Sequence, residues 1–134
     1  MIRHIDHVGI AVDSIDEARG FYETLGLRIE AIEEVPQEGV RVALIPCGES
    51  RIELLEATSE ESPIRRFLDK RGPGMHHLCL RSDASAGDGG RLRRDGARRL
   101  RDGPPRGAGG CWVRFVGPAS AGGVLVELSQ PAED

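Results

Sequence analysis

The stretch IDHVGIAV, residues 5–12, returns as MHHLCLRS, residues 75–82, with a histidine in the third place of each. Both read as strands. In the first, Ile5, Val8, Ile10 and Val12 are β-formers, and the strand predicted from Ile2 to Val12 closes on the cap residues Asp13-Ser14. A second pair of runs repeats with an offset of one place: RIELLEA, residues 51–57, lies against VLVELSQ, residues 124–130, so that Glu53 sets on Glu127. His7 and Glu53 are 46 residues apart, and His77 and Glu127 are 50 residues apart, a difference that one loop absorbs. An internal duplication places equivalent residues around a pseudo-two-fold axis. Each half therefore offers one histidine and one glutamate.

Working outward from these strands, the apolar residues Ile15, Ala18, Phe21, Tyr22 and Leu25 fall at helical steps, and Gly26 supplies the stop. Strands follow over 28–35, 40–46 and 51–56, separated by Pro36-Gln37-Glu38-Gly39 and Gly48-Glu49-Ser50. Module one, residues 1–58, is thus βαβββ. A connector, 59–74, carries a short helix over Ile64–Leu68, opened by Ser62-Pro63 and ended by Gly72-Pro73-Gly74. Module two, 75–130, repeats the order with strands near 75–80, 97–100, 111–116 and 124–128. Its helix, 84–95, holds Gly87, Gly89 and Gly90, each costing up to about 1 kcal/mol against alanine, and is expected to be short or frayed. The fold class is α+β, with two βαβββ modules forming a curled eight-stranded mixed sheet in a single domain of 134 residues.

Two imidazoles and two carboxylates suit a first-row divalent cation, with octahedral geometry expected. His7, Glu53, His77 and Glu127 are the candidate ligands. Each glutamate interrupts an apolar strand, where an unpaired buried charge costs several kcal/mol. A metal removes that cost; the competing reading is an edge strand with the glutamate facing water. His76 points away from His77 if the strand is regular, and His4, which has no partner in the repeat, reads as a surface residue.

Composition narrows the function classes. A formal charge of −4 argues against nucleic acid as a partner. With no long apolar run and no apolar leader after Arg3, His4 and Asp6, no membrane association is expected and a cytoplasmic location is. Cys47, Cys79 and Cys111 lack metal or disulfide spacing and read as buried free thiols. The arginines between Arg91 and Arg106 form either a solvated face or a seat for an anionic, phosphate-bearing substrate tail.

At IDHVGIAV, FYETLGL, EEVPQEGVRVALIPCGESRIELLEA, SPIRRFLDKRGPGMHHLCL and GGVLVELSQ the chain resembles the vicinal oxygen chelate superfamily and, within it, the methylmalonyl-CoA epimerase family. The resemblance is specific over 1–81 and 122–130, and the departures lie in 82–121. It implies paired βαβββ modules curling around a metal held by His7, Glu53, His77 and Glu127, cobalt first, with manganese, nickel or zinc as alternatives. It also implies inversion of an acyl-CoA substrate through an enolate, with Glu127 as one acid/base group and Glu53 as the candidate for the other face, in a homodimer. Two other functions fit the residues: a glyoxalase-like isomerase or lyase acting on a small carbonyl compound, and a non-catalytic ligand-binding member.

Overall fold

The computed structural model describes residues 2–82, 99–101, 111–118 and 121–131. Their strands are β1 (Ile2–Ala11), β2 (Ala31–Val35), β3 (Val40–Cys47), β4 (Ser50–Ala57), β5 (Gly74–Ser82), β6 (Arg99–Arg101), β7 (Cys111–Val116) and β8 (Val126–Pro131). The helices are α1 (Ile15–Thr24) and α2 (Pro63–Arg71). The chain divides into two compact units, His7–His76 and a second made of 1–6 with 77–134.

In the first unit the strand order is β2-β3-β4-β1, with β4 antiparallel to β3 and parallel to β1. Alternation along these strands sends Ile10, Val12, Ala43, Ile45, Ile52 and Leu54 to one face. There they meet Ile15, Ala18 and Tyr22 of α1 and Leu27 and Ile29 of the chain leaving it. Fully burying such side chains stabilises the fold by about 1.5–3 kcal/mol each. The opposite face, carrying His7 and Glu53, is left for the site.

Helix α1 starts where the sequence predicts. Ser14 accepts a hydrogen bond from the Glu17 N–H, and Glu56 Oε1 accepts one from the Ile15 N–H at 2.7 Å. An anion at a helix N-terminus meets orphan N–H groups and the positive end of the dipole. Gly26, at φ 88°, then turns the chain. The predicted apolar stripe needs correction at two places, because Phe21 and Leu25 are exposed. Phe21 lies about 100° round the helix from Tyr22 and meets it edge to face, while Leu25 is the C-cap, where the helix ends.

Other boundaries shift modestly. Residues 36–38 form a 3-10 turn ended by Gly39 at φ 63°. A Cβ on Gly39 would come within 2.9 Å of Ser59 Oγ, so this position requires glycine. Strand β2 begins at Ala31 rather than 28, and α2 extends to Arg71 because Ser62 and Pro63 open it and the Gly72 N–H closes on Leu68. Cys79 is buried as expected, but Cys47, at the β3–β4 turn, is exposed.

In the second unit the order is β1-β5-β8-β7-β6, entered through the first residues of β1. Strand β8 is parallel to β5 and antiparallel to β7, repeating the pattern of the first unit. The edge strands β2 and β6 each have one bonded neighbour. The strand order among the described residues is therefore open at both ends. The helix expected over 84–95 and most of the arginine run lie outside the described residues. No helix among the described residues is long and apolar enough to cross a membrane.

Candidate functional site

Each unit holds one histidine and one glutamate side by side. In the first, β1 and β4 are in register with His7 opposite Arg51 and Gly9 opposite Glu53. His7 Nδ1 lies 3.4 Å from Glu53 Oε2. Glu53 is only 3 % exposed because β4 is an interior strand, with Leu44 of β3 opposite it on the other side. In the second unit, Leu78 is opposite Val126 and Cys79 opposite Glu127. His77 Nε2 lies 3.6 Å from Glu127 Oε2, both side chains buried, and Phe115 of β7 flanks Glu127.

The two pairs share one geometry. In each, the glutamate stands one residue beyond the partner of the residue that follows the histidine. The edge-strand alternative for the glutamates is excluded, since β4 lies between β3 and β1 and β8 lies between β5 and β7. Two buried carboxylates beside imidazoles form a donor set that suits a divalent metal, whose charge would offset their loss of hydration. Among the described residues, the groups of buried side chains able to hold a metal are His7, His77 and Glu127, and Asp6, His7 and Cys79; Glu53, the fourth predicted ligand, is in neither.

His76 and His77 separate as strand alternation requires. His76 meets the Phe67 ring edge to face at 5.0 Å, and the Arg71 guanidinium lies over the Phe67 ring, 5.7 Å from its centroid. Burial chiefly, and then the Arg71 charge, hold the His76 pKa below its ordinary value. His4 is half-buried rather than a plain surface residue.

Two contacts beside the site escape a reading built on the repeat. Arg51 Nε and NH2 both reach Glu53 Oε2, each at 2.8 Å. Asp6, buried immediately before His7, accepts from Arg81 Nε at 2.9 Å and also from its NH2 on the same oxygen, Oδ1. Spacing could have suggested Arg51, two residues before Glu53 and hence on its face. The Asp6–Arg81 contact joins positions 75 residues apart, with no local signal.

Residues 6–115 match the family model of the Glyoxalase/Bleomycin resistance protein/Dioxygenase superfamily. An ethylmalonyl-CoA/methylmalonyl-CoA epimerase of Cereibacter sphaeroides is 40 % identical over 133 residues, covering 97 % of this chain and 99 % of that protein. The crystal structure of methylmalonyl-CoA epimerase from Mycobacterium tuberculosis superposes with a TM-score of 0.92 at 37 % identity, covering 98 % of this chain and 90 % of that one. A Streptomyces coelicolor methylmalonyl-CoA epimerase variant in complex with 2-nitronate-propionyl-CoA gives a TM-score of 0.92 at 34 % identity, covering 99 % and 100 % of the two chains.

Proposed function

From the premise that the chain belongs to the Glyoxalase/Bleomycin resistance protein/Dioxygenase superfamily, we propose that it is an epimerase interconverting the two epimers of methylmalonyl-CoA. The observation carrying this reading is the recurrence of one buried histidine–glutamate pair, in one register, in each unit. The full-length likeness to epimerases, one of them in complex with an acyl-CoA analogue, supports the substrate class.

His7, Glu53, His77 and Glu127 together hold one divalent ion in this reading, cobalt first and manganese, nickel or zinc after it. When bound, the ion supplies Lewis acidity that favours the enolate of the thioester. The chain's own residues move the proton. The Glu127 carboxylate takes the α-proton from one face, and the electron pair left on carbon spreads into the thioester carbonyl. Glu53, on the other face, returns a proton to the same carbon, inverting it. No redox change occurs, and the proton balance closes once the two carboxyl groups re-equilibrate with solvent. Leu44, opposite Glu53, and Phe115, opposite Glu127, give each carboxylate an apolar neighbour that limits its hydration.

The two modules work as a single domain in this reading, and the active species is a cytoplasmic homodimer, for which the exposed Phe21 and Leu25 offer apolar surface. The test is conversion of one pure epimer of methylmalonyl-CoA by the cobalt-loaded protein. Appearance of the other epimer is the expected result. Bound cobalt without conversion of this thioester would redirect the assignment to another isomerase or lyase of the superfamily.

A further inference from the structure

The duplication makes Glu53 and Glu127 equivalent, but their neighbours two residues back are not. Glu53 follows Arg51, while the corresponding place before Glu127 is Leu125. Strand register supports that correspondence: His7 is opposite Arg51, Gly9 is opposite Glu53, and in the other unit Cys79 is opposite Glu127. Leu125 contributes its backbone there, accepting a hydrogen bond from the Leu78 N–H at 3.1 Å. A guanidinium at this position is thus found in one half of the repeat.

Its geometry is specific. Nε and one terminal nitrogen converge on a single oxygen, Oε2, each at 2.8 Å. The same oxygen is 3.4 Å from His7 Nδ1. Two charge-assisted donors on one atom restrict rotation of the carboxylate about its terminal torsion, which is otherwise broad and weakly defined. Arg51 is itself half-buried, with a side chain 23 % exposed, and the Glu53 carboxylate it meets is 3 % exposed. Pro46 stands opposite it on β3.

We propose that Arg51 is a positioning residue: it grips Oε2 of Glu53 and fixes the direction in which that carboxylate is presented to the metal and the substrate. This rests on Glu53 being a ligand, as proposed above. A ligand whose orientation is fixed before binding loses less freedom when the ion arrives, and groups that orient ligands typically contribute 10- to 100-fold in metal affinity or activity. Arginine suits the task better than lysine because its planar fork places two donors at once.

The test is titration of the full chain, wild type, Arg51→Met and Arg51→Lys, with cobalt alone. Binding is followed by calorimetry and by the visible absorption of the bound ion, and circular dichroism reports folding. The Met variant is expected to bind cobalt about 10- to 100-fold more weakly with an altered absorption band. The Lys variant is expected between the two. Wild-type affinity and an unchanged band in a folded Met variant would overturn the role of Arg51 while leaving the metal site intact. If the Met variant does not fold, the Lys variant decides, and wild-type behaviour there overturns the proposal. A wild-type chain that takes up no cobalt would overturn the metal reading, and the role of Arg51 with it.

Discussion

His7 Nδ1 and Glu53 Oε2 lie 3.4 Å apart on neighbouring strands, and both side chains are buried. His77 and Glu127 repeat this at 3.6 Å. A single ion shared by all four groups makes a sharper prediction than two separate sites. The wild-type chain should bind one cobalt ion, and His7→Ala and His77→Ala should each lose tight binding. Equilibrium dialysis with metal analysis measures this. Two independent pairs would instead leave each variant with half of the wild-type uptake.

Glu127 is assigned the proton transfer at one face of the substrate. Glu127→Gln keeps an oxygen donor of similar shape but cannot accept the α-proton. Washout of that proton into deuterium oxide should fall by about 10²- to 10⁴-fold, the usual worth of a positioned acid/base group. Cobalt uptake, measured alongside, separates lost chemistry from lost metal. Unchanged washout would remove Glu127 from the mechanism.

The Asp6–Arg81 pair sets the start of β1 against β5 immediately before His7. Asp6 is 3 % exposed, and its Oδ1 takes both guanidinium bonds. Breaking a buried pair by removing one partner typically costs about 3–5 kcal/mol, because the other charge is left without compensation. Asp6→Ala should therefore lower the unfolding free energy by roughly 3 kcal/mol in urea titrations. A loss below about 1 kcal/mol, the range of surface pairs, would show that the contact is incidental.

His76 carries a pH dependence. Burial first, and the Arg71 charge second, hold its pKa below 6.5 in the folded chain. Below that value the unfolded chain binds a proton that the folded chain resists. The resulting stability is fully present above about pH 6.5 and is lost as pH falls toward the folded pKa. His76→Gln should flatten the slope of stability between about pH 7.5 and about pH 5.5. An equal slope in wild type and variant, by urea unfolding at both pH values, would contradict this.

The sequence displays the parts of the fold governed by local rules and by the repeat. Period-two alternation located the strands of the first unit, and Ser14, Gly26, Ser62 and Gly72 marked the helix ends that the structure shows. His7, Glu53, His77 and Glu127 were legible because duplication writes each feature twice. What escaped was tertiary. Nothing in α1 distinguishes the inward Tyr22 from the exposed Phe21 until the sheet is present, since both fit an apolar stripe. Arg51 reads as a polar residue at a strand start until Glu53 is seen bonded to it. Arg81 gains a partner only through the pairing of β1 with β5, which no local pattern states.

Epimerisation at this site requires that a proton be removed from carbon. The most direct measurement is exchange of the α-proton of methylmalonyl-CoA in deuterium oxide, with metal-stripped protein and with cobalt restored. The prediction is negligible exchange by the stripped protein and rapid exchange accompanied by inversion after restoration. Failure of the cobalt-restored protein to exchange the proton would contradict it.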